Sequence, residues 1–302
     1  MLVSAPEALF KYLPPSRIDV IQNLLIRFTQ ASSLNDTLEL RPPTKGVAKR
    51  EVLEEIARNG LTPALWTKTN EQSKKILDQR CPGLSELVGE IYLQAAVQKC
   101  TEAIEQRHER NPSAVFDVTD HNFGILSLTE IPYDVPMWAH YADGGRGYLI
   151  EFNPGHSWFH GKRDERDSFR HLRQVVYVSL RPQKYLLDTT EMDFLYTKWS
   201  VWEAEKEWRI IRCFNDAVKK CENLDSYGNE ILLFAIPPDS IRSVVLGISA
   251  GDEFEAKLRT VLSNNPELRH VSLKRAVQAI DTGNISIVSG DSCLETTNAG
   301  RP

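Results

Sequence analysis

The chain has no stretch approaching the roughly 18 apolar residues of a membrane-spanning helix, and its opening MLVSAPEALFKYLPPSR lacks a basic segment followed by an apolar run. A cytoplasmic protein with no membrane partner is expected. Cysteine is scarce: Cys81, Cys100, Cys213, Cys221 and Cys293 are odd in number and nowhere spaced as C-x-x-C. A disulfide framework and structural zinc are both disfavoured. An excess of positive charge is missing too, with a net charge of -5, which argues against general DNA binding. H-E-x-x-H, G-x-S-x-G, G-x-x-x-x-G-K-[ST] and G-x-G-x-x-G are all absent, and His156 and His160 sit in the helix-poor 153-NPGHSWFHGK-162. Metallopeptidase and serine-hydrolase chemistry are disfavoured, and no metal is expected.

What is present reads as one soluble α+β domain over 1–287, with a helical insertion at 45–112 and a frayed polar tail at 288–302. 8-ALFKYL-13 is a strand stopped by Pro14 and Pro15, and 16-SRIDVIQNLL-25 carries helical spacing behind a capping serine. Further strands are 26-IRFT-29, 122-NFGILSL-128, 147-GYLIEFN-153, 174-QVVYVSL-180, 231-ILLFAI-236 and 243-SVVLG-247. Helices cover 47–60, 84–110 and 249–262. Strands bracketing a helical block, without regular β-α alternation, imply a central mixed or antiparallel sheet with flanking helices.

Three of the six tryptophans and three glutamates crowd into 199-WSVWEAEKEWRII-211. Ala, Glu and Lys disfavour a strand at its start, so the segment enters as a helical turn or loop and becomes strand near Lys206. Glu207 and Arg209 then share a face, and a continuous strand would add Glu203 and Glu205 to it. Carboxylates so close raise one another's pKa if buried; a solvated acidic face is the blander alternative. In 137-MWAHYADGGRGYLIEF-152 a helical turn presents Trp138, His140 and Tyr141 before a glycine turn and a strand, a set suited to a bound ring or phosphate, or to the core. Asn35 and Asp36 in 29-TQASSLND-36 cap a turn or hold a polar ligand. Lys11 and Tyr12 lie on the first strand, where the lysine is an edge gatekeeper or a functional group.

Taken in order, 10-FKY-12, 33-SLND-36, 137-MWAHYADGGRGYLIEF-152, Tyr177 and 198-KWSVWEAEKEWRII-211 resemble the prokaryotic family catalogued as domain of unknown function 2971. Members follow the asparagine-aspartate with proline and phenylalanine, where this chain has Thr37 and Leu38. The resemblance implies a site at Lys11, Tyr12, Asn35, Asp36, Trp138, His140, Tyr141, Lys198, Glu205, Glu207 and Arg209, and brings no activity with it. The chain is more distantly similar to ADP-ribosyltransferases. That similarity implies NAD as substrate, Glu205-x-Glu207 as the pair whose last glutamate stabilises an oxocarbenium-like state, and Tyr12 or Tyr141 against the nicotinamide.

The leading expectation is therefore an enzyme on a nucleotide-type substrate, for which the distant similarity implies an ADP-ribosyltransferase-like transferase of bacterial defence or toxin biology. Glu207 is its catalytic carboxylate, Glu205 the assistant, and Lys11 and Arg209 the partners of a phosphate or carboxylate. The alternatives are a non-enzymatic nucleotide-sensing or protein-binding module, with a protein partner on the 45–112 insertion, and a metal-dependent nuclease. Adjacent Glu205 and Lys206 do not give the nuclease its acid and lysine two apart on one strand face.

Overall fold

Apolar residues on both sides of a single lysine, 9-LFKYL-13, make a strand buried on two faces, and that strand lies inside the main sheet. The computed structural model describes residues 6–36, 44–61, 71–82, 84–110, 113–163, 167, 169–181, 183–188 and 194–289. The eight strands are β1 Leu9–Leu13, β2 Phe123–Thr129, β3 Tyr148–Phe152, β4 Arg173–Gln174, β5 Glu207–Cys213, β6 Ile241–Leu246, β7 Ser272–Gln278 and β8 Ile285–Ser289. Their spatial order is β8-β7-β6-β3-β1-β2-β5-β4. β6 and β7 run parallel, joined through the helix Asp252–Asn264, and the other neighbours are antiparallel. The fold is α+β with a large mixed sheet.

Side chains alternate across this sheet and split its core in two. Leu9, Leu13, Leu128, Ile150, Trp208 and Ile210 join one cluster with Leu258 and Leu262 of the Asp252–Asn264 helix. Phe10, Tyr12, Leu149 and Val245 join a second with Met137 and Trp138 of the helix Val135–Tyr141. That short helix is started by Asp134, whose carboxylate accepts from the Met137 amide at 2.8 Å.

The chain divides into two compact units, 1–40 with 119–179 and 195–302, and 41–118 with 180–194. The first holds the main sheet, an antiparallel sheet of Lys219–Leu224, Glu230–Ala235 and Leu25–Arg27, and a parallel pair, Val176–Val178 with Thr197–Trp199. The second holds the helices Arg50–Gly60, Glu71–Arg80 and Leu84–Arg110, with the parallel pair Thr44–Gly46 and Lys184–Tyr185. Leu53, Leu93 and Val97 are buried there, while Ile56, Ile76, Leu87, Ile91 and Tyr92 stay exposed. No described helix is long and apolar enough to cross a membrane.

Three local expectations are corrected. The helix expected over 16–25 shrinks to Asp19–Asn23 because Leu24 turns left-handed, with φ of 52°, and ends it. The strand expected over 174–180 breaks at Val175: Arg173–Gln174 pairs with β5, and Val176–Val178 changes to a different neighbour. β7 and β8 were not anticipated, because 272-SLKRAVQ-278 mixes charge with apolar residues; Lys274 and Arg275 find carboxylates in Glu151 and Glu255. Val288 and Ser289, assigned to the tail, belong to β8, and 290–302 lie outside the described residues.

Candidate functional site

β1 keeps five paired positions with β3 but only one with β2, Phe10 opposite Thr129, so the sheet splits between β1 and β2 beyond that point. A ladder carbonyl deprived of its partner needs another donor. At Ser127 the Lys11 Nζ supplies it, at 3.0 Å. A cavity of about 200 Å³ opens here, walled by Phe10, Lys11 and Tyr12 of β1, by Ser127 and Thr129 of β2, by Thr29 and 33–35, and by Met137, Tyr141, Lys198, Glu205, Glu207 and Arg209.

The glutamates reach the cavity by different routes. Ser200–Glu205 is a 3-10 turn ended by Lys206, whose φ of 41° is left-handed, and β5 starts at Glu207. The Thr129 hydroxyl donates to the Glu205 carbonyl at 2.6 Å and pins the turn to β2. The kink points Lys206 to solvent and returns Glu205 beside Glu207. Glu203, which a continuous strand would have placed with them, is exposed. Lys198 comes from the parallel pair, directly opposite Tyr177. The Tyr177 hydroxyl accepts the Glu207 amide at 2.8 Å, which holds this pair over the start of β5.

Lys198 Nζ lies 2.6 Å from Glu205 Oε2 and 2.9 Å from Glu207 Oε2. Arg209 forks onto Glu207, with Nε to Oε1 at 2.7 Å and Nη2 to Oε2 at 3.0 Å, and donates Nη1 to the Leu195 carbonyl at 2.8 Å. The Tyr141 hydroxyl donates to Glu205 Oε1 at 2.8 Å and accepts from Asn35 Nδ2 at 3.2 Å. Every carboxylate oxygen thus has a donor, the condition under which buried charge is tolerated.

Burial drives the electrostatics. It raises the Glu207 carboxyl above its usual range, against Lys198 and the Ser127 hydroxyl, while Glu205 adds to the rise. Lys198 would fall on burial, but Glu207 and Glu205 push it up instead. Lys11 is lowered to about 8 by burial, partly offset by Glu207 and Glu205 and reinforced by Arg17 and Lys198. Burial and the Glu205 charge lift Tyr141 to about 12, so it remains a donor at neutral pH.

The structure brings Lys11, Tyr12, Asn35, Tyr141, Lys198, Glu205, Glu207 and Arg209 to one cavity. Asp36 does not line it, and acts electrostatically on Arg209, supporting a charge that burial weakens. The expected ring pocket of Trp138, His140 and Tyr141 is corrected: Tyr141 alone of the three lines the cavity. Trp138 is 1% exposed, packs edge-on to Tyr12 at 5.1 Å and donates to the Pro132 carbonyl. His140, two residues beyond Trp138 on the same helix, faces solvent. Tyr12 spends its hydroxyl on the Ile131 carbonyl at 2.8 Å. Arg209, expected to meet a ligand's phosphate or carboxylate, is occupied by Glu207.

The 143-DGGRG-147 turn is explained by the backbone. Asp143, Gly144 and Gly145 are left-handed, and the amides of Gly144, Gly145 and Gly147 close the end of the Val135–Tyr141 helix on Ala139, Trp138 and Ala142. A Cβ at Gly147 would stand 2.1 Å from the Leu13 carbonyl, so glycine is required where β3 enters beside β1. Sequence reading missed Ser127 and Thr129. Their signal was two hydroxyls at alternate positions of an otherwise apolar strand, 123-FGILSLT-129. It also missed the clamp behind the 29–35 wall: Asp225 accepts from Arg27 at 2.6 Å and Ser33 at 2.7 Å, and Asn229 donates to Ser32 and Ser33.

Fold and site together define an α+β protein with a charged cavity at a split in its main sheet. Residues 137–210 match the family described as "Protein of unknown function (DUF2971)". The matched segment supports the resemblance read from the sequence and carries Tyr141, Lys198, Glu205, Glu207 and Arg209; Lys11, Tyr12, Asn35 and Asp36 lie outside it. No curated protein and no solved structure matches the chain. Among the described residues no group of three or more His, Cys, Asp or Glu is placed to hold a metal ion, and Cys81, Cys100, Cys213 and Cys221 are free thiols.

Proposed function

We propose that the chain is an enzyme acting on a nucleotide-type substrate, and that its reaction is cleavage at a ribosyl carbon, as in ADP-ribosyl transfer from NAD. The observation that carries this reading is the meeting of Glu205 and Glu207 at one cavity, both tied to Lys198. Nicotinamide leaves NAD as a neutral base and its ribosyl carbon gains positive charge. A fixed carboxylate beside that carbon stabilises the charge as it develops. Lys198 and Arg209 favour the ionised form of Glu207 against burial, and Glu205 with the Tyr141 hydroxyl is placed to orient a ribose or an acceptor. Ligand pockets commonly span about 300–1,000 Å³. At about 200 Å³ this cavity suits a sugar ring with its phosphate, with the rest of the nucleotide outside.

Nicotinamide release from NAD is the test, with wild type compared to Glu207→Gln and Glu205→Gln. The expected loss is about 100-fold or more for Glu207→Gln, the scale of removing one preorganised electrostatic group, with a smaller loss for Glu205→Gln. Turnover unchanged in a folded Glu207→Gln protein overturns the reading. A second reading, a non-enzymatic nucleotide-sensing or protein-binding module, draws support from the occupation of both Glu207 oxygens and from exposed Ile56, Ile76, Leu87, Ile91 and Tyr92 in the helical unit. It predicts thermal stabilisation by a nucleotide without any product.

A further inference from the structure

Charge matching separates the three cations of the cavity. Lys198 sits between two carboxylates, and Arg209 has Glu207 within hydrogen-bond distance and Asp36 in its field. Lys11 differs: its ammonium donates to a backbone carbonyl, and among the described residues no carboxylate lies within ion-pair distance of it. It nonetheless lines the cavity, at the place where β1 and β2 part. We propose that Lys11 is an anion subsite, holding the phosphate of a mononucleotide-type ligand in the split between β1 and β2. The proposal rests on the reading of this cavity as a nucleotide site, and specifies which part of the nucleotide enters it.

Among the described residues the Ser127 carbonyl is the one hydrogen-bond acceptor that Lys11 meets, which leaves two of an ammonium's three donors for an acceptor in the cavity it lines. A phosphate there restores the favourable environment that burial removes. Its neighbours oppose one another: Glu207 and Glu205 favour the charged amine, whereas Arg17 and Lys198 disfavour it. Arg209 and Tyr141 complete the polar lining. Free Lys11 loses its proton near pH 8. A phosphate beside it favours the protonated form, so binding takes up a proton above that pH. Affinity then falls by up to about tenfold for each pH unit above 8. A phosphomonoester is already dianionic in this range, its second pKa being about 6.

The probes are nicotinamide mononucleotide and nicotinamide riboside, which differ by the phosphate, titrated calorimetrically into the full chain at pH 7.5 and 9.5. At pH 7.5 the mononucleotide is expected to bind at least tenfold tighter than the riboside, with inorganic phosphate competing, and at pH 9.5 most of the preference disappears. Lys11→Met abolishes the preference at both pH values. Lys11→Arg keeps the preference and loses its pH dependence, since a guanidinium stays charged. Equal binding of the two probes, binding of neither, or a phosphate preference surviving in Lys11→Met overturns the proposal. NAD turnover separates it from the enzymatic reading. Proton-coupled phosphate preference without turnover leaves the subsite standing and removes the enzyme; turnover without phosphate preference does the reverse.

Discussion

One row of the main sheet carries two glutamates with opposite fates. Ser243, Glu151, Phe10, Thr129 and Glu207 pair successively across β6, β3, β1, β2 and β5, and so share a face. At one end Glu151 meets Lys274 at 2.7 Å and the Ser243 hydroxyl. Burial pushes its carboxyl up, but Lys274 and Ser243, then Arg242, bring it below the usual range. At the other end Glu207 has Lys198 and Arg209, yet burial leaves it raised. Side-chain exposure decides the difference: Lys274 keeps 35% of its surface, Lys198 only 8%. Partner count therefore does not set the state of a carboxylate. The water left around the pair does, because desolvation grows faster than attraction as a pair is enclosed.

Removing the cation from each end gives the largest contrast. Lys198→Met strands two buried carboxylates and is expected to cost about 3–5 kcal/mol in urea unfolding at pH 7. Lys274→Met is expected to cost below about 1 kcal/mol, since its pair is partly in water. Similar losses at both sites would erase the distinction between the two ends.

A smaller effect lies in the sign of pH dependence. The folded pKa of Glu207 is above the free value, so the folded state binds more protons from pH 4.5 upward, and its contribution declines as pH rises through the folded pKa. For Glu151 the folded pKa is depressed, so its contribution is present above 4.5 and is lost as pH falls through the folded value. Stability of wild type minus Glu207→Gln should thus decrease with rising pH, and wild type minus Glu151→Gln should increase. Parallel slopes, measured by denaturation at a series of pH values, would contradict the assignment.

The smallest effect concerns the hinge that separates Glu205 from Glu207. Lys206 is exposed and left-handed, a conformation costing roughly 1–2 kcal/mol in a non-glycine residue. Lys206→Gly is expected to raise stability by up to about 1 kcal/mol and to leave both glutamates paired with Lys198. A loss of stability would mean that the Lys206 side chain contributes more than its backbone strain costs.

Much of the frame was legible from local pattern. Apolar runs with Pro or Gly stops located β1, β2, β3 and β6, and the change from a helical turn to strand near Lys206 followed from the poor strand propensity of Ala204, Glu205 and Lys206. β7 was illegible because Lys274 and Arg275 are neutralised by carboxylates far away in the chain, which period and propensity do not register. Trp138 and His140 misled for a related reason. Aromatic and imidazole groups at close spacing suit a ligand pocket as well as they suit a core and a surface, and only the orientation of the Val135–Tyr141 helix separates these.

The sequence by itself determined the α+β class, the strand that carries Glu207 and Arg209 on one face, and the glycine turn that delivers β3, since each depends on residues a few positions apart. Tertiary structure decided the rest. Lys198 stands between the glutamates because Val176–Val178 leaves the main sheet to pair with Thr197–Trp199, and Lys11 reaches the cavity because β1 and β2 part after one pairing. Both depend on ladder bonds between distant segments, and the protonation of the buried groups depends on how much water those segments exclude.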